Sequence, residues 1–191
     1  MSYFEQLYDL PVLDLNQELE KLESNGVIKW HPNDNQICLN TMIGHETDYL
    51  LGSGSLVWDW SRARMENGKI VDCPRFEPER KNETDFTELC TQFHGTMFEE
   101  VYSALKTKYH LGRVRLMKSN PKTCLSWHID EYPRVHYPIF THNGCFMVIE
   151  DQVKYLPKYT WWYTNTLLKH TAFNGSGCER VHLVATIIGE K

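Results

Sequence analysis

The sequence predicts a mainly β fold with flanking helices, with a sandwich or barrel formed by the C-terminal part of the chain. Two observations carry this. From residue 112 onward, GRVRLMKS, RVHYPIF, CFMVIED, TWWYTN and RVHLVATII follow one another, rich in β-branched and aromatic residues and separated by turns such as THNG. Before residue 112 the apolar residues recur instead at helical spacing in two segments. The length of 191 residues suits a single domain, 1–191, in which 1–111 supplies helices, strands and a long loop packed on a core formed by 112–191.

In chain order, Leu13–Glu23 reads as a short amphipathic helix, with Leu15, Leu19 and Leu22 on one face and Gly26 where it should stop. IKWHPNDNQICLNT follows as strand, turn, strand, with PNDN as the turn. The stretch GSGSLVWDWSRARMENGKIVDCPRFEPER reads as an irregular excursion with a hairpin around Glu66–Lys69. Arg62 and Arg64 in it are placed to cover the mouth of a site. The clearest helix spans Asp85–Tyr109, with Phe86, Leu89, Phe93, Met97, Val101 and Leu105 on one face. Asp85 with Glu88 resembles a capping box, and Gly112 reads as its stop. The basic run from Lys106 to Lys122, including Arg113 and Arg115, reads as a solvated helix end and an edge strand.

Hydrophobic residues make up 41% and charged residues 24%, as in an ordinary globular protein, and the net charge of −5 disfavours a partner held by its nucleic acid backbone. No apolar run is long enough for a membrane span, and the acidic N-terminus lacks the order of a signal peptide, so a cytoplasmic protein is expected. The six cysteines form no C-x-x-C pair and are expected to be reduced.

The chemistry concentrates in SWHIDEYPRVHYPI, residues 126–139. His128 and Asp130 are two apart, so on an extended chain they share a face and can bind one metal. A third ligand has to come from elsewhere, and His136, His142, His170 and His182 are the candidates. His170 is chosen, because forty residues after Asp130 suits a return from the far side of a sandwich. Two histidines and a carboxylate on one face of iron form the facial triad of non-haem Fe(II) oxygenases, leaving positions for a keto acid and dioxygen. Arg180 can bind the distal carboxylate of a co-substrate such as 2-oxoglutarate through its planar fork. The tripeptide Arg-Val-His occurs twice. Arg134 with His136, and Arg180 with His182, would each share one strand face, and an apolar interior rarely accepts such residues unpaired. Together they suggest a pocket for a small dianion.

In RLMKSNP (115–121), SWHID (126–130), RVHYPI (134–139), WWYTN (161–165), His170 and RVHLV (180–184), the sequence resembles the Fe(II)/2-oxoglutarate-dependent oxygenases of the aspartyl/asparaginyl β-hydroxylase-like branch. The resemblance covers residues 112–188. It implies a double-stranded β-helix, the cupin-like jelly roll. It also implies that His128, Asp130 and His170 bind Fe(II), that Arg180 holds 2-oxoglutarate, and that Arg134 and His136 lie near the keto-acid end or the substrate. Trp127 and Asn165 are candidate substrate contacts, the alternatives being core packing for Trp127 and a turn cap for Asn165. The implied reaction consumes O2 and 2-oxoglutarate, releases succinate and CO2, and hydroxylates a C–H bond of an amino acid or protein side chain. One departure matters: the best-known animal members use two histidines without the acid, so Asp130 weakens any transfer of their substrate. Competing readings are an oxygenase acting on a nucleic acid base, a non-catalytic metal-containing binding module, and a cupin metalloenzyme without 2-oxoglutarate.

Overall fold

The computed structural model describes residues 2–58, 62–67, 69–75 and 81–191, so parts of the predicted excursion lie outside the described residues. The elements run β1 (Phe4–Leu7), α1 (Leu15–Ser24), β2 (Gln36–Cys38), β3 (Asn40–Met42), β4 (Arg64–Glu66), β5 (Lys69–Asp72), β6 (Phe86–Leu89) and α2 (Met97–Lys108). They continue with β7 (Tyr109–Ser119), β8 (Thr123–Cys124), β9 (Arg134–Phe140), β10 (Cys145–Ile149), β11 (Gln152–Lys154), β12 (Trp161–Thr164), β13 (His170–Asn174) and β14 (Arg180–Glu190).

Two antiparallel sheets dominate. The large one has the order β1-β12-β9-β14-β7-β2, and the small one β11-β10-β13-β8. From β7 to β14 the chain crosses repeatedly between the two, which is the winding of a double-stranded β-helix. β1 and β2, from the N-terminal half, extend the large sheet at both edges.

Alternation along the strands gives the large sheet two unlike faces. Val114, Leu116, Val135, Tyr137, Leu183 and Ala185 pack with Leu15 and Leu19 of α1 and Phe98, Val101 and Leu105 of α2 into the main core. Tyr137 fixes the approach to α1: its hydroxyl donates to Leu13 O (2.8 Å) and accepts from Leu13 N (3.0 Å). By the same alternation the other face carries Arg113 and Arg115 on β7, Arg134 and His136 on β9, and Arg180 and His182 on β14, all buried or nearly so. A smaller apolar cluster of Phe4, Trp162, Met147, Ile149 and Ala172 joins residues of both sheets.

Four local expectations are corrected. The segment before PNDN forms no strand. The helix predicted over Asp85–Tyr109 begins only at Met97, and residues 86–89 are instead a strand paired with β3. Apolar residues spaced for a helix are buried here without one, because the fully buried Asn40 amide holds the segment extended. Its nitrogen donates to Phe86 O (2.6 Å) and Gly112 O (2.9 Å), and its oxygen accepts from Val114 N (2.7 Å). Gly95, at φ +73°, then turns the chain, and Thr96 caps Phe98 N (3.2 Å) to start α2. Asp85 accepts from Asn82 N (2.7 Å) as the end of a capping box on a short 3-10 helix, not as the start of a long one. Third, Gly112 is no helix stop. It lies inside β7, where a Cβ would come within 2.8 Å of Glu83 and 3.0 Å of Thr186. Gly112→Ala is therefore expected to cost about 1–3 kcal/mol through overpacking, read as a lower calorimetric Tm. An unchanged Tm would refute this close packing. Fourth, β7 is not an edge strand: it runs between β14 and β2, and Arg113 and Arg115 are buried. The hairpin around Glu66–Lys69 is formed by β4 and β5.

Candidate metal and co-substrate site

The chain after β8 continues along the side of β13 that faces away from β10. Leu125 N donates to Ala172 O (2.9 Å), and Asp130 N to Thr166 O (2.9 Å). Between them His128 and His170 form an antiparallel bridge, exchanging both backbone hydrogen bonds at 3.0 and 2.9 Å. The bridge sets the two imidazoles side by side, with ring centroids 4.2 Å apart. Each ring is oriented the same way. His128 Nδ1 lies 2.7 Å from Ser126 O, and His170 Nδ1 lies 2.9 Å from Leu168 O, in each case the carbonyl two residues upstream. A carbonyl can only accept, so Nδ1 carries the proton and the Nε2 lone pair is left for a metal.

Asp130 completes the group: ligand atoms of His128, Asp130 and His170 all lie within 4.8 Å of one another. Asp130 Oδ2 is 3.6 Å from His170 Nε2 and 3.2 Å from Arg134 Nε. Burial pushes the pKa of His170 below the ordinary imidazole value, favouring the neutral ring that a ligand has to be. Two imidazole nitrogens and a carboxylate oxygen suit a first-row divalent metal such as Fe(II).

Behind this group the inter-sheet face closes over a small cavity lined by Arg180, His136, His182, Cys145, Met147 and Leu156. Arg180 is 8% exposed, and its Nε has no partner among the described residues. Glu179, its neighbour in sequence, pairs instead with Lys118 at 3.4 Å. Both ring nitrogens of His136 and Nε2 of His182 also lack partners among the described residues. Burial, with the Arg180 charge behind it, takes His136 down to about 3 and His182 well below the ordinary value, so both rings are neutral at physiological pH. Buried donors without partners carry a desolvation cost that a bound anion would relieve. The donor set therefore fits a small carboxylate such as 2-oxoglutarate.

A second charged cluster adjoins the first. Glu83 meets Arg113 at 2.9 Å through Nη2 and 3.2 Å through Nε, and Arg134 approaches it at 3.8 Å. Burial alone would raise Glu83, but the charge and hydrogen bonds of Arg113, with Arg115 and Arg134 beyond, outweigh it and take the carboxyl down to about 2. Arg115 donates to Gln36 Oε1 (3.0 Å), and its Nε has no partner among the described residues. Sequence reasoning missed Glu83 and left Arg113, Arg115 and Cys145 aside. The alternation of Arg with apolar residues in GRVRLM was the available signal for the two arginines.

The remaining candidates are more peripheral. Trp127 is half exposed, with the Lys169 ammonium 5.9 Å from its ring centroid. Asn165 sits in the turn after β12: its N donates to Tyr3 O (3.0 Å), and its side-chain oxygen is buried without a partner among the described residues. Arg64 is exposed and lies 3.6 Å from Glu66.

Comparison with curated proteins returns no match. Among solved structures the chain is similar to viral collagen prolyl hydroxylase from Paramecium bursaria Chlorella virus-1, at 12% identity over 97% of this chain and 96% of that one, with a TM-score of 0.46. It is also similar to a 2OG-Fe(II) oxygenase family oxidoreductase from Burkholderia pseudomallei, at 15% identity over 47% and 48% of the two chains, TM-score 0.36. A cupin domain from Bordetella pertussis Tohama I overlaps 39% of this chain and 79% of its own at 18% identity, TM-score 0.35. The sequence model of the aspartyl/asparaginyl beta-hydroxylase family matches residues 15–189, beginning well upstream of the motif-bearing stretch 112–188. Because that match runs from α1 through β14 and takes in nearly the whole chain, this protein belongs to the aspartyl/asparaginyl β-hydroxylase family and is an enzyme of the hydroxylase type.

Proposed function

We propose that this protein is an Fe(II)- and 2-oxoglutarate-dependent dioxygenase that hydroxylates a C–H bond of an amino acid or a protein side chain, releasing succinate and CO2. In this reading it works as a single domain in the cytoplasm. The observation that carries the reading is the pairing of two features: His128, Asp130 and His170 converge with both Nε2 lone pairs available, and the buried Arg180 has an unpartnered Nε.

His128 and His170 would hold the metal through Nε2, and Asp130 through its carboxylate. Iron with 2-oxoglutarate and dioxygen supplies the oxidising power that no side chain has. Arg180 would pair with the distal carboxylate of the keto acid, with neutral His182 and His136 as further polar contacts in the same cavity. Arg134 stands between Asp130 and Glu83, where it holds the Asp130 carboxylate in place and lies close to any substrate brought to the metal. Trp127 and Asn165 are proposed at the substrate side. The apolar cavity wall, Met147 and Leu156, limits water around the keto acid.

No helix among the described residues is long and apolar enough to cross a membrane. No disulfide joins the described cysteines.

The test is an anaerobic titration of the protein with Fe(II) and then 2-oxoglutarate, following the visible charge-transfer band of the chelated keto acid. A saturable band is expected. In Arg180→Ala the loss of a charge-assisted contact should weaken 2-oxoglutarate binding roughly 10- to 100-fold at unchanged iron content. Iron binding without any keto-acid band would overturn the co-substrate assignment, and absence of iron binding would overturn the ligand assignment.

A further inference from the structure

Among the wall residues of the cavity beside Arg180 that co-substrate binding does not require is a thiol. Cys145 opens β10, is 3% exposed, and lines the same cavity as Arg180, His136 and His182. Its Sγ donates to Asn174 Oδ1 at 3.2 Å, and Asn174 is fully buried and tied by its own amide to Ser119 O, Asn120 O and Cys178 O. The thiol is thus fixed in position rather than free to rotate into the core. Arg180 is more than nine-tenths buried, its Nε has no partner among the described residues, and it lines the same cavity as Cys145. A nucleophile and an unsatisfied anion-binding group therefore share one small enclosure.

We propose that Cys145 is a covalent modification site for small anionic electrophiles, in particular unsaturated dicarboxylates of the fumarate type, and that the adduct closes the co-substrate pocket. The inference rests on the reading of Arg180 as a carboxylate site. Arg180 holds one carboxylate of the incoming molecule, which presents its double bond to the sulfur at high effective concentration. The sulfur forms a bond to one alkene carbon, the π pair moves to the other, and that carbon takes the proton lost by the thiol. The product is a saturated thioether, and nothing is oxidised or reduced. It places two carboxylates permanently where the keto acid would lie. Saturated dicarboxylates such as succinate bind the same pocket without reacting.

The test compares alkylation of the intact, iron-loaded protein under anaerobic conditions by iodoacetate and by neutral iodoacetamide, read by peptide mass spectrometry. With either reagent the sulfur displaces iodide and the thiol proton goes to solvent. The exposed Cys124 and Cys178 serve as internal references. Relative to them, Cys145 should favour iodoacetate over iodoacetamide by about tenfold or more, because a cationic cleft concentrates the anion. Succinate should suppress the labelling, and Arg180→Gln should remove the preference. Fumarate pre-treatment followed by desalting should leave a mass adduct on Cys145 and abolish the keto-acid band, whereas in Cys145→Ala the band should survive the same treatment. Equal reagent preference at all three cysteines, or labelling of Cys145 that succinate does not slow, would overturn the proposal. The wild-type experiments with succinate do not depend on any variant folding. If untreated protein shows the keto-acid band but Cys145 lacks the preference, this inference fails and the functional reading stands. A preference that depends on Arg180 in a protein without the band supports an anion-directed thiol and removes the oxygenase reading.

Discussion

His170→Ala should abolish turnover, lowering succinate formation by more than about a hundredfold, since loss of a group that merely supports a metal ligand already costs 10–100-fold. The fold should survive, because the contact between the two chain segments is made by backbone. His128 N and O and His170 N and O form the bridge, and none of these atoms is removed. Far-UV circular dichroism close to that of the parent protein is therefore expected alongside the loss of succinate and of the anaerobic keto-acid band. Retention of full 2-oxoglutarate turnover in this variant would remove the metal assignment altogether. Asp130→Ala should be as inactive but less clean, because it also strips Arg134 of its 3.2 Å partner and leaves it the more distant Glu83 as its ion pair among the described residues.

The second large effect is on stability. Glu83→Gln should destabilise the protein by about 3–5 kcal/mol, because it leaves the buried Arg113 guanidinium without its counter-charge. For a chain of this size that corresponds to a Tm lower by about 6–20 °C. The loss should reach the excursion as well, since Arg113 Nη1 also donates to Gly52 O (2.7 Å) and Gly54 O (2.9 Å) and ties that segment to β7. The same carboxylate sets an acid limit. Its folded pKa of about 2 lies below the 4.5 of the unfolded chain, so its contribution is present above pH 4.5 and is lost as pH falls towards 2. From the size of the shift that contribution is about 3 kcal/mol. Denaturant titrations between pH 6 and pH 2 should show it in the parent protein and not in Glu83→Gln. A variant that unfolds at the parental Tm with the parental pH profile would show that Glu83 and Arg113 contribute nothing as a pair.

The strands of the C-terminal part are legible in the sequence because alternation is a local signal: a residue and the one two along share a face whatever the strand pairs with. The same rule puts Arg134 with His136, and Arg180 with His182, from spacing alone. The over-long helix marks the limit of that reasoning. Phe86, Leu89, Cys90 and Phe93 have to be buried, but burial does not say by which backbone conformation. The Asn40 amide, forty-six residues before Phe86, decided for a strand. The buried state of Arg113 and Arg115 was illegible for a related reason. A Lys- and Arg-rich run reads as solvated unless its counter-charge is visible, and Glu83 lies thirty residues upstream of Arg113.

By itself, then, the sequence determined the mainly β class and the shared strand faces of Arg134 with His136 and of Arg180 with His182, since these depend on residue type and on periods of a few residues, and its motifs carried the resemblance to the family. Tertiary structure decided the rest. The bridge that turns His128 and His170 into neighbours, the carbonyls that leave both Nε2 atoms available, and the cavity that brings Cys145 to Arg180 all depend on strands distant in sequence. The reason is physical: hydrogen-bond register between such strands is fixed only when the whole sandwich closes, and no window of the chain contains it.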